Sequence, residues 1–410
     1  MVKYGIDLEK YAYITLKYGL NVQQGQEVVI SSPVNCYEFV RVLTKKAYEL
    51  SSGKVTVFYE DDEVLKQNFI NDEQEVLLAV PEWFKQAKKY IVDKKACYLG
   101  IISDNPSVFE GVDAKKIAAR QKAVTKACPE YRASLDNNAT RWCLIAYPCK
   151  EWADLAFDGS PDAMEKLGEN IAKATWLDRD DCEEKWKEHV ASLKRRSEFL
   201  NNAGIVKFRY KNSLGTDFEI KMPDGYIFSG ANDVGSEDGV EFIANMPTQE
   251  VFSSPDMNSA NGKLAASLPL VRNGVVIEDF YFVFKEGKVV EFGAKKGEDT
   301  LREILDADEG MKRLGEIALV GYNSPIRQTG VLFYETLFDE NASCHFALGK
   351  SFPSSYKGGT EMSKEELKAV GLNDSVNHVD FMVGTPDLEI TAELSSGKVI
   401  KIFENGDWTF

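Results

Sequence analysis

The chain has 410 residues, 44% hydrophobic and 28% charged, with a formal net charge of −16. At roughly 100–200 residues per domain, that length predicts two or three domains, each able to bury a core. The acidic balance disfavours nucleic-acid binding, which needs a basic stripe against the phosphates, and docking on an anionic membrane. No stretch approaches the ~18 apolar residues of a spanning helix, and residues 1–7 show no basic-then-apolar targeting signal. Seven cysteines, odd in number, irregularly spaced and without a C-x-x-C, read as reduced thiols of a cytoplasmic protein.

The first half alternates helix and strand patterns. Residues 8–20 have helical apolar spacing, and residues 27–33 read as a buried strand. Residues 37–50 are helical, with Phe39, Val42, Leu43, Ala47 and Leu50 on one side; residues 54–59 form the next strand. Residues 97–102 and 142–147 are strands with a helix at 114–127 between them. This rhythm predicts βαβ units around a mainly parallel sheet. Helices at 162–174 and 181–200 close the half, and the boundary falls near residue 200.

The second half changes to short strands and turns. Residues 205–210 and 217–220 read as a hairpin through Asn212-Ser213-Leu214-Gly215. Strands follow at 274–277, 280–284 and 289–292, with turn signals at Asn273-Gly274 and Glu286-Gly287. Residues 399–403 and 408–410 form a last hairpin through Asn405-Gly406. The expected fold class is therefore α/β: an N-terminal parallel α/β domain over 1–200, then a C-terminal α+β, strand-rich domain over 201–410.

Candidate chemistry gathers around histidine, of which the chain has three. Two lie beside carboxylates, in Asp339-Glu340-Asn341-Ala342-Ser343-Cys344-His345 and in His378-Val379-Asp380. Imidazole with carboxylate is the usual donor set of a catalytic divalent metal. On a strand, residues two apart share a face, so His378 and Asp380 project together while Val379, Phe381 and Val383 pack inward. The bland reading of that pair is a surface hydrogen bond. The run Val331-Leu332-Phe333-Tyr334 would bring the chain up to His345. Cys344 is a poor nucleophilic partner for His345, because neighbours on an extended segment face opposite ways. Glu316, opening the run 316–321, and Glu250, after the turn at Pro247, could each be a solvated strand end. His189 lies in a highly charged helix and reads as solvated. No H-E-x-x-H, G-x-S-x-G, dinucleotide or P-loop signature occurs.

Residues 245–255 (NMPTQEVFSSP), 315–320 (GEIALV), 337–349 (LFDENASCHFALG), Gly358-Gly359 and 377–384 (NHVDFMVG) together resemble the thermophilic metalloaminopeptidases, the aminopeptidase T, aminopeptidase S and PepS type. The resemblance runs over essentially the full length, including Asn21-Val22-Gln23-Gln24-Gly25 before the first strand. It implies a metal-dependent aminopeptidase that hydrolyses the N-terminal peptide bond of short peptides with a free N-terminus. It implies two divalent ions (zinc, cobalt or magnesium) on Glu250, Glu316, His345, His378 and Asp380. It leaves Glu316 or Glu340 as the proton acceptor and implies a two-domain subunit in a homodimer. The sequence departs from the family pattern at Phe352, where a tyrosine is expected among the active-site residues. A phenylalanine has no hydroxyl for an oxyanion, and Tyr356 is the nearby substitute. Gln249 also stands where the family often has glutamate. The alternative reading is therefore a metal- or peptide-binding paralogue with weak or no catalysis.

Overall fold

The computed structural model describes every residue except 231–232 and 273–274, so the expected Asn273-Gly274 turn lies outside the described residues. The fold is α/β, with one parallel sheet and several antiparallel ones. The chain divides into two compact units, Met1–Lys187 with Asn232–Pro247, and Glu188–Ala231 with Thr248–Phe410.

In the first unit the apolar runs at Val28–Pro33, Val55–Glu60, Cys97–Ile102 and Trp142–Ala146 pair in parallel. A short strand from late in the chain, Asn245–Met246, adds to Trp142–Ala146, giving five strands. Crossover helices follow the expected apolar faces. Tyr37–Glu49 buries Phe39, Val42, Leu43 and Ala47, whereas Leu50 stays half-buried at the helix end. The segment read as one helix over 8–20 is an α-helix, Leu8–Ile14, running into a π-helical turn, Thr15–Gly19. Asp7 caps its N-terminus by accepting from the amides of Glu9 and Lys10. Between the second and third strands the structure adds helices Asp62–Asn71, Gln74–Leu78 and Glu82–Asp93.

The second unit is built on two antiparallel sheets. One has eight strands and includes the hairpins Ile205–Lys211 with Asp217–Lys221, and Tyr281–Lys285 with Lys288–Gly293. Glu286 and Gly287 both have positive φ (50° and 81°), as do Asn405 and Gly406 (51° and 76°), which is the two-residue turn the dipeptides predict. The other sheet has four strands: Val251–Ser253, Leu314–Leu319, His345–Gly349 and His378–Met382. One core joins Phe346, Phe381, Ile317 and Val251 of the smaller sheet to Tyr210, Phe218, Phe282 and Ile390 of the larger. The Phe346 ring meets the Tyr210 and Phe218 rings edge-on at 5.0 and 5.3 Å between centroids. Such side chains each contribute about 1.5–3 kcal/mol by leaving water, so the smaller sheet is fixed firmly from behind.

Candidate metal centre

The four-stranded sheet sorts its residues by strand period. Ile317, Phe346, Val379 and Phe381 face the core. The intervening positions carry the chemistry. Glu316 pairs across to Ala347, and Ala347 to Asp380, so the two carboxylates flank a small residue in one cross-strand row. His345 pairs with Ala318 in the next row, and His378 with Gly349 at the other end. Small residues, Ala318, Ala347 and Gly349, stand beside these polar ones. Glu250 immediately precedes Val251, whose partner is Leu319, and reaches the same face from the sheet edge.

Two glycines make this register possible. Gly315 lies where the Leu314–Leu319 pairing shifts, and a Cβ there would sit 2.2 Å from the Gly349 carbonyl oxygen. Gly349 has φ of 99°, and a Cβ on it would meet the Asn377 oxygen at 2.2 Å. The bend at Gly349 delivers the Lys350 carbonyl to His378.

The histidine contacts are the most informative geometry. His378 Nδ1 lies 2.7 Å from the Lys350 carbonyl oxygen, and His345 Nδ1 lies 3.1 Å from that of Ser343. A carbonyl only accepts, so each Nδ1 carries the proton. Each Nε2 is thereby aimed at carboxylates: His345 at Glu250 Oε2 (3.1 Å), His378 at Glu316 Oε2 (2.9 Å) and Asp380 Oδ1 (3.2 Å). In a neutral ring those are lone pairs facing lone pairs, an arrangement that needs a proton or a metal cation between them. Metal-ligating histidines commonly donate their other nitrogen to a backbone carbonyl in this way. Asp380 Oδ1 is also buried without a hydrogen bond. Donor atoms of Glu250, Glu316 and His345 lie within 4.8 Å of one another, as do those of Glu316, His378 and Asp380, and Glu316 is common to both groups. This mixed set of imidazole nitrogen and carboxylate oxygen fits a divalent metal.

The protonation pattern follows from the same contacts. Burial opposes charge on His345, but the hydrogen bond and charge of Glu250, with Glu316 and Asp380 behind, push it up to about 10. His378 is raised well above its usual value against the same burial penalty, by Asp380 and Glu316. Burial lifts Glu316, partly offset by His378, and the neighbouring carboxylates lift it further. Asp380 is lowered despite its burial, because His378 and His345 face it. Without a metal, protons therefore stay on the imidazoles.

Glu316 sits third in its six-residue strand and is 4% exposed, so it is not the solvated strand end that its sequence position suggested. The run 331–334 has no regular secondary structure. A helical turn, Thr336–Asp339, and a 3-10 turn, Glu340–Ala342, lead instead into His345. Glu340 is in neither donor group, yet burial and then the charges of Asp380 and Glu250 hold its carboxyl well above the usual range. Phe352 lies against the site, its ring centroid 4.9 Å from that of His378 and 5.6 Å from that of Phe252. Tyr356 bridges Tyr226 by its backbone, and its ring lies over Gly225. The Cys344 thiol turns away from His345 towards the Val320 backbone, and burial pushes it up to about 12. His189 is not solvated: it is half-buried, with Nε2 2.7 Å from the Thr248 carbonyl oxygen. Cys182, Trp186, Leu193 and Leu200 are buried on the same helix, and His189 falls in their three-to-four spacing, a signal the surrounding charges hid. Asn341, also missed, is fully buried beside Glu340.

A model of the thermophilic metalloprotease (M29) family matches residues 5–408. The chain belongs to that family. It is 40% identical to aminopeptidase AmpS of Bacillus subtilis over 405 residues, 98% of each chain. To aminopeptidase 2 of Geobacillus stearothermophilus it is 38% identical, again over 98% of each. The structure of wild-type AmpT from Thermus thermophilus superposes with a TM-score of 0.91 at 32% identity, covering 98% of this chain and 99% of that one. The enzyme class is that of a metalloaminopeptidase, and family membership implies a divalent metal. The binding-only reading finds no support in these relatives. Among the described residues no helix is long and apolar enough to cross a membrane.

Proposed function

We propose that this protein is a two-metal aminopeptidase that removes the N-terminal residue of short peptides. The observation that carries this reading is the pair of imidazoles, each fixed by a backbone carbonyl and each aiming Nε2 at carboxylates. Glu250 and His345 would hold one ion, His378 and Asp380 the other, with Glu316 shared between them. Divalent ions held there would supply Lewis acidity to the scissile carbonyl and ease ionisation of water.

The chain's own groups do the rest. Glu340 is the proton acceptor in this reading: it stands outside both donor groups, so no metal ion would claim its carboxylate. Burial, then the charges of Asp380 and Glu250, raise its affinity for a proton, as suits a general base. Glu316, in both donor groups, is not free for that task. The substrate's ammonium group would be held by the excess of carboxylate over imidazole. Phe352 shields the His378 ring and offers no oxyanion donor. The catalytic domain in this reading is the C-terminal one, 201–410; the ions are zinc, cobalt or magnesium, and the protein is a cytoplasmic homodimer.

The test is hydrolysis of a panel of aminoacyl-p-nitroanilides by the full chain, with chelator and with add-back of each metal. The expected result is release that chelator abolishes and one metal restores. No release from any substrate, with two metal equivalents bound, would sink the proposal. Metal content by mass spectrometry and mass by light scattering check the stoichiometry and the dimer.

A further inference from the structure

Glu250 and Glu340 sit on segments ninety residues apart, and a single side chain bonds to both segments. Asn341 is 0% exposed. Its Oδ1 accepts the Gln249 amide at 2.6 Å, next to Glu250. Its Nδ2 donates to the Leu337 carbonyl at 3.0 Å and to Glu340 Oε1 at 3.4 Å. The orientation is unambiguous: a backbone N–H can only donate, so the atom facing Gln249 is the oxygen. One acceptor and two donors of the carboxamide are thus all used. At the other end of the Thr248–Gln249 peptide group, His189 Nε2 lies 2.7 Å from the Thr248 carbonyl oxygen. That peptide group, just ahead of Glu250, is therefore gripped at both ends by side chains that belong to neither donor group.

We infer that Asn341 is a positioning residue that divides its labour, its oxygen fixing the Glu250 arm and its amide nitrogen fixing the Glu340 carboxylate. This rests on the reading of Glu250 as a metal ligand and Glu340 as the base. The two halves separate by substitution. Asn341→Asp keeps the acceptor for Gln249 and loses both donors; Asn341→Ala loses everything.

The experiment uses the full chain and two readouts. Zinc affinity is measured by competition with a chromophoric chelator. Turnover of a leucyl-p-nitroanilide is measured at saturating metal, in wild-type and Glu340→Gln backgrounds. Asn341→Ala is expected to weaken zinc binding about tenfold and to lower kcat about 100-fold. Asn341→Asp is expected to bind zinc within about threefold of wild type yet lose kcat about as much, with KM unchanged. In the Glu340→Gln background Asn341→Asp should cost almost nothing more, because residues acting as one unit are non-additive. Equal loss of zinc affinity in both variants, or a kcat loss that multiplies with that of Glu340→Gln, overturns the division of labour. Should Asn341→Asp fail to fold, Asn341→Ala in the Glu340→Gln background decides by the same criterion. Full turnover by Glu340→Gln alone would instead defeat the reading of Glu340 as base, and with it the nitrogen half. The zinc measurements do not involve Glu340 and still decide the oxygen half.

Discussion

The two antiparallel sheets of the second unit share one core yet treat charge in opposite ways. In the eight-stranded sheet, Ile205–Lys211 and Asp217–Lys221 alternate buried and exposed positions, and their charges meet across strands. Lys207 lies 3.3 Å from both Glu219 and Glu393, and both carboxylates face solvent. In the four-stranded sheet every residue of Leu314–Leu319 and His345–Gly349 is buried, Glu316 and His345 included. Charges in the first setting cost little and contribute little. Charges in the second are expensive unless something compensates them, and the compensation here is a set of imidazoles aimed at carboxylates. Burial on both faces, more than the number of acids, separates a candidate site from a solvated surface.

Substitutions can widen or collapse that contrast. The largest effect is expected from Glu316→Gln, which removes the carboxylate common to both donor groups: turnover should fall more than about 10³-fold, alongside a loss of bound metal. The metal-free variant should melt no lower than wild type, because neutralising a buried carboxylate relieves its desolvation. A metal-free Tm far below wild type would mean that Glu316 serves the fold and not the site.

Next comes His189, whose ring is depressed to about 4, chiefly by burial. Both folded and unfolded states hold a neutral ring above the unfolded value of about 6.5. As pH falls from there, the unfolded chain binds the proton first, so stability is lost between about pH 6.5 and 4. Over that window wild type should lose up to about 3 kcal/mol more than His189→Gln, measured as the difference between their denaturant stabilities at each pH. Parallel pH curves for the two proteins would place the ring in water after all.

Phe352→Tyr is expected to raise kcat by about tenfold, by restoring a hydroxyl beside His378. Unchanged kcat would assign oxyanion stabilisation to other groups. Smallest of all, Lys207→Met on the eight-stranded sheet should change stability by less than about 1 kcal/mol and leave metal affinity alone. A loss as large as that of a buried group would break the distinction between the sheets.

Much was legible from local pattern. The parallel strands, the hairpin turns and the common face of His378 and Asp380 follow from period and turn chemistry within short windows, which residues settle among themselves. The family could be read too, because five separated motifs in order constrain the chain more than any one does. Other features depended on residues far apart in the chain. Glu316 looks like a strand end until the shifted pairing at Gly315 and the partner strands on both sides bury it. His189 looks solvated among charged neighbours until its carbonyl partner, fifty-nine residues away, is known. Which nitrogen of His345 and His378 faces the carboxylates was fixed by the carbonyls of Ser343 and Lys350. The sequence by itself determined the donor types and the strand faces that carry them, since both are properties of neighbouring residues. Only the tertiary structure decided burial, tautomer and convergence, because those depend on what packs against each side chain from elsewhere in the chain.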